Sequence, residues 1–169
     1  MAYTDIRYSL NGFSIRGQAN YAKINKDFAA EHNIAGKEGL FYGLELRYTH
    51  ELFWTKAIYT KNDKEQPLYT VDGDNGGFLT SGEYEAINIA NAARYAFSVG
   101  KNFGNLRLEG TYHDFDNGTI SSKGEKVSVG YRYKKFFDAN LELVYKKKIG
   151  EDGIERGDKS AELEMYYFF

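Results

Sequence analysis

The sequence predicts an all-β protein: an up-and-down antiparallel transmembrane β-barrel of about eight to ten strands, in one domain over residues 1–169. Three observations carry this. The composition holds 15 Tyr, 12 Phe and 18 Gly against one Pro and no Cys, a balance that favours strands and tight turns over helices. Apolar residues recur at every second position in segment after segment. The connections between those segments alternate between short and long, as in a meander with one plain end and one elaborated end.

Nine segments alternate. Residues 6–10 and 13–21 come first, joined by Asn11-Gly12, a strong hairpin signal. Residues 40–48 and 53–59 follow, and in the second of these Phe53 and Tyr59 share a face, which turns Trp54 and Lys56 inward. Residues 87–99 place Ile87, Ile89, Ala93, Tyr95, Phe97 and Val99 opposite Asn88, Arg94 and Ser98. In 106–114, Leu106, Leu108 and Tyr112 oppose Arg107, Glu109, Thr111 and His113. Residues 126–134 set Val127, Val129, Tyr131 and Tyr133 against Lys126, Ser128, Gly130 and Arg132, and 140–146 set Leu141, Leu143 and Tyr145 against Asn140, Glu142 and Lys146. The last segment, SAELEMYYFF, carries Ala161, Leu163, Met165, Tyr167 and Phe169 on one face and Glu162, Glu164, Tyr166 and Phe168 on the other. Most segments approach the ~9 to 11 residues that a tilted strand needs to cross a bilayer.

Short connections are expected at 11–12, 49–52, 101–105 and 135–138, and long polar ones at 25–38, 61–82, 116–124 and 149–159. If the short turns are periplasmic, apolar-face aromatics should collect at two heights. Strands descending to the short turns offer Tyr8, Tyr48, Tyr95, Phe97, Tyr131, Tyr133, Tyr167 and Phe169; ascending strands offer Tyr21, Tyr59, Tyr112 and Tyr145. Two such sets make membrane-interface girdles.

The formal net charge of −2, with Lys and Arg interleaved among Asp and Glu, excludes the clustered basic surface of a nucleic-acid binder. No run of about 18 apolar residues exists for a transmembrane helix. The mean hydropathy of −0.59 does not oppose a barrel, whose strands show lipid only at alternate residues. Without Cys there is no disulfide or thiolate site. No signal peptide precedes Ala2, so Met1 reads as a mature or engineered start. His32, His50 and His113 lack metal-site spacing. His113 and Asp114, the only visible fragment of a hydrolase triad, are adjacent on a strand and so point apart. The acidic stretch DGDNGG at 72–77 lacks the ligand spacing of a calcium loop and reads as a solvated turn. These considerations predict no enzyme, no cofactor and no metal.

With its alternating face ending on Phe169, the chain resembles a Gram-negative outer-membrane β-barrel, specifically the C-terminal part of a porin. The terminal pattern resembles the signal read by the barrel-assembly machinery, which that resemblance makes a partner of the last strand. Two stretches, AARYAFSVGKNFGNLRLEGTYHDFDNG and KVSVGYRYKKFFDANLELVYKKK, are similar to hairpins of substrate-specific porins of the OprD-like type. The odd strand count departs from the even count of bacterial barrels. It leads us to expect a hidden strand within 61–82 or missing N-terminal strands, in a truncated or engineered segment.

The inward face is expected to line a channel through Arg7, Arg16, Arg47, Lys56, Arg94, Arg107, Glu109, Lys126, Arg132, Glu142, Glu162 and Glu164. As the OprD-like resemblance implies, its arginines would form a path for anionic solutes across the bacterial outer membrane, with the lipid bilayer and small solutes as partners. The alternative is a small closed structural or adhesion-type barrel whose lumen is filled by lateral ion pairs. A third possibility, a soluble β-sandwich or lipocalin-like binder, gives no reason for Tyr to segregate at two heights.

Overall fold

Nine strands form one antiparallel sheet in strict chain order: β1 (Ala2–Leu10), β2 (Phe13–Lys23), β3 (Glu38–Thr49), β4 (Trp54–Asn62), β5 (Ala93–Phe103), β6 (Leu106–Asp116), β7 (Ser121–Tyr133), β8 (Phe137–Ile149) and β9 (Glu155–Tyr167). The computed structural model describes residues 2–23, 38–62, 91–133, 137–150 and 152–167, and it holds no helix among them. Every strand pairs with its sequence neighbour, so the expected up-and-down meander is the observed topology.

The predicted hairpin at Asn11-Gly12 forms with both residues at positive φ, 48° and 83°, the twist that suits a two-residue turn between right-twisted strands. A Cβ on Gly12 would sit 2.5 Å from the Thr49 carbonyl oxygen, so the turn needs glycine for space as well as for φ. The turn between β5 and β6 is also tight, with Gly104 at φ 59°.

Several strand ends differ from expectation. Two connections expected to be long are short, 117–120 and 150–154, because β7 begins at Ser121 and β9 at Glu155. Residues 121–126 and 155–160 are polar on both faces and show no alternation. Their backbones continue the ladder nonetheless, with Ser121 opposite both Asp116 and Ile149, and Glu155 opposite Ile149. Side-chain acceptors close these turns: Asn117 Oδ1 accepts from the Thr119 and Ile120 amides at 3.0 and 2.7 Å, and Asp152 Oδ1 accepts from the Ile154 amide at 3.0 Å. The fifth strand is shifted toward the C-terminus. It runs to Phe103, with Lys101 and Asn102 paired rather than turning. The expected residues 87–90 lie outside the described residues. So do residues 25–37, the 63–82 stretch in which a hidden strand is expected, the 72–77 turn, His32, residues 134–136 and the terminal Phe169.

Burial in the sheet is inverted relative to a water-soluble protein. Its apolar face is open, with Ile6 67 % exposed and Leu143 50 % exposed. Its polar face is occluded on the central strands, where Arg94, Thr60 and His113 are each 1 % exposed, and open on β1 and β9. The only apolar clusters among buried described residues are small, Ile58 with Ala96, and Ala92 with Phe115.

Candidate functional site

Residues directly opposite in a ladder share a face, so the register assembles the polar face row by row. One row runs Arg7, Arg16, Glu45, Ile58, Ala96, His113, Gly124, Lys146 and Asp158. The next row toward the short-turn end includes Arg47, Lys56, Ser98, Thr111 and Lys126, and the one beyond it Trp54, Gly100, Glu109, Ser128, Glu142 and Glu162. Arg107 and Glu164 follow in a further row through Gly130 and Asn140, and Arg132 faces Asp138 at the short-turn end. Arg94 lies toward the other end, between Thr60 and Phe115. The twelve residues nominated from the sequence therefore share one face.

Lateral pairing organises part of that face. The Arg16 guanidinium donates to Asp5 from Nε at 3.0 Å, and the Gln18 amide donates to the same carboxylate at 3.0 Å. The Lys126 ammonium donates to Glu142 at 3.1 Å, and Asn140 donates to the same carboxylate at 3.0 Å. Arg132 donates to Asp138 at 2.9 Å. Ser98 and Thr111 share a 2.9 Å hydrogen bond, and the Thr111 hydroxyl reaches Glu109 at 3.3 Å.

Trp54 points inward, as Phe53 and Tyr59 on the opposite face require. Its indole lies flat on the wall over Gly100, where a Cβ would fall 2.4 Å from the ring. The Arg47 guanidinium stands 5.4 Å from the ring centroid and the Lys56 ammonium 6.0 Å, both within cation–π range. His113 fits in the same way over Gly124, where a Cβ would lie 2.3 Å from its Cε1.

Strands β1–β5 carry the basic excess of the face, through Arg7, Arg16, Arg47, Lys56 and Arg94 against Asp5 and Glu45. On β6–β9 acids and bases balance. The sequence reading missed Asp138, Asp158, Lys148 and Arg156, which extend the inward face. The last three fall in stretches without apolar alternation, where only the continuous ladder reveals the face.

The aromatic residues fall on the open face, with one correction of height. Tyr95 and Phe97, assigned to the short-turn end, lie toward the other end. Tyr95 is directly opposite Tyr59, ring centroids 4.9 Å apart, and Phe97 is opposite Tyr112. The cause is the C-terminal shift of β5, which leaves Phe103 at the short-turn end in their place. Tyr8, Tyr48, Tyr131, Tyr133 and Tyr167 keep their short-turn positions, with Tyr48 stacked 4.4 Å from Phe13 and Tyr167 5.0 Å from Phe137. Tyr21 and Tyr145 keep theirs toward the opposite end.

No family model matches the sequence, and no curated protein matches it. Among solved structures the chain is similar to OmpT (in-vitro folded), an outer membrane protein of Vibrio cholerae, at 15 % identity and a TM-score of 0.62. The match covers 99 % of this chain and 49 % of that one, so the chain spans about half the length of the protein it matches. The chain thus shares the antiparallel up-and-down β architecture of that outer membrane protein, while nothing in the match is specific to OprD-like porins. The expectation of no enzymatic activity is corrected: the shared fold does not support it. That expectation rested on a missing triad, whereas the chain shares its fold with an outer membrane protein at an identity that shows fold alone. Fold does not settle activity in either direction. Among the described residues no group of three His, Asp or Glu could hold a metal ion.

Proposed function

We propose that the chain forms the wall of a bacterial outer-membrane channel for passive diffusion of small polar or anionic solutes. The distribution of side chains carries this reading: a charged and polar face, occluded on the central strands, backs onto an open apolar face bounded by aromatic residues, which suits lipid outside and water inside. Arg7, Arg16, Arg47, Lys56, Arg94, Arg107, Glu109, Lys126, Arg132, Glu142, Glu162 and Glu164 line the path, and the basic excess on β1–β5 favours anions. The narrower kinship with OprD-like porins agrees with that excess. In this reading the bilayer and small solutes are the partners. The alternating Ala161, Leu163, Met165 and Tyr167 of β9 meet the barrel-assembly machinery.

A second reading, a structural or adhesion-type barrel with a lumen closed by ion pairs, is favoured by Arg16–Asp5, Lys126–Glu142 and Arg132–Asp138. Planar-bilayer recording separates the two. A channel gives a reversal potential of weak anion preference under a salt gradient, fading as ionic strength rises. Arg94→Glu with Arg132→Glu then shifts selectivity toward cations. Folded, inserted and closed protein without conductance would replace the channel with the structural barrel.

A further inference from the structure

The two outer strands of the sheet are bare. Every residue of β1 and of β9 is exposed, and among the described residues neither strand has a ladder partner beyond β2 and β8 respectively. Each therefore presents one row of backbone amides and carbonyls to its surroundings, along nine residues of β1 and thirteen of β9. In the membrane reading proposed above, on which this inference rests, such an edge cannot stay open, because hydrocarbon offers no hydrogen-bonding partner.

We propose that the lumen is completed by a further strand-forming polypeptide: an odd number of strands, the first and last both running away from the short-turn end. The argument is one of polarity. β1 and β9 both run toward the short-turn end, since the count between them is odd and each neighbour is antiparallel. Closing β9 directly on β1 would pair them parallel. A second copy in the same orientation would also start and end on strands running toward the short turns, making both seams parallel. An odd set that starts and ends on oppositely running strands makes both seams antiparallel and keeps all short turns on one side. The chain's coverage of half of a matched outer membrane protein is consistent with a complement of similar size. Side chains state the rest of the fit. The strand beside β9 meets inward carboxylates at Asp158, Glu162 and Glu164, and so should carry inward Lys or Arg. The strand beside β1 meets Arg7 and should carry an inward acid.

The test compares the chain in lipid vesicles with a fusion. Residues 13–149 of a second copy, strands β2–β8, are appended after Tyr167 through an Asn-Gly turn, supplying an odd set that starts and ends on strands of the required direction. A tandem of two whole chains is the control with the wrong polarity. The proposal expects amides of β1 and β9 to exchange at least about tenfold faster than those of β3–β7 in the single chain, and to become protected, with heat-modifiable gel migration, in the fusion only. Protected β1 and β9 amides in the single chain, closure of the tandem, or a fusion no better protected than the single chain would each overturn it. Protection and gel migration read closure without conduction. A fusion that closes but does not conduct therefore sinks the channel and leaves the seam inference standing.

Discussion

Leu143→Arg is expected to destabilise the folded protein in lipid by about 2–4 kcal/mol, while Glu142→Gln, one residue away, costs at most about 1 kcal/mol. Leu143 is the central residue of β8, six positions from Phe137 and six from Ile149. At a rise of about 3.3 Å per residue it lies about 20 Å from either strand end. A tilt of about 40° reduces that to a depth of about 15 Å, half of a ~30 Å hydrocarbon layer, where the penalty for a cation is greatest. Its neighbours on the open face, Val127 and Ala161, offer the guanidinium no acceptor. Glu142 points the other way. It accepts hydrogen bonds from Lys126 and Asn140, and a Gln there keeps a carbonyl oxygen within reach of both donors. The assay is reversible urea unfolding in phosphatidylcholine vesicles followed by tryptophan emission. A difference of about 2 kcal/mol is a roughly thirtyfold change in the folding equilibrium. Equal losses at both positions, or a larger loss at Glu142, would show that the faces of β8 are exchanged, because a one-residue slip moves every side chain to the other side.

Gly100→Ala is expected to lift the indole of Trp54 off the wall, because the new methyl would sit 2.4 Å from its ring atoms. Trp54 is the only tryptophan, so the emission spectrum reads the change directly: a shift to the red, with a stability loss of about 1–3 kcal/mol. An unchanged spectrum would refute the packing of Trp54 on Gly100. In the turn between β8 and β9, hydrogen bonds from Arg156 and from the Ile154 amide hold the Asp152 carboxyl below its ordinary value of 3.8. A depressed carboxylate stabilises the turn fully above that ordinary value, and the contribution disappears as pH falls through the lowered one. The carboxyl carbon shift of Asp152, followed by NMR during acidification, should titrate below an ordinary aspartate, and Arg156→Gln should return it toward 3.8. An unmoved titration in the variant would remove Arg156 as the cause.

The nine alternating segments, and the face of each side chain within their described parts, were determined by the sequence alone, because alternation has a period of two and is read within one strand. Arg107 and Leu108, Glu142 and Leu143, Trp54 and Phe53 sort themselves without reference to any partner. The Asn11-Gly12 turn was equally local, since two consecutive residues at positive φ demand those residue types. What the tertiary structure decided is everything that depends on which residue faces which. The end of β5, four residues later than expected, moved Tyr95 and Phe97 from one end of the sheet to the other, although the face assignments from Ala93 to Val99 survived. Residues 121–126 and 155–160, polar on both faces, became strand through backbone hydrogen bonds to β6 and β8, bonds that side-chain pattern does not encode. The rows that gather Arg7, Arg16, Arg47 and Lys56 into one basic region, and the bare edges of β1 and β9, exist only once nine ladders are in register. Pairing joins residues far apart in the chain, and no local period reports it.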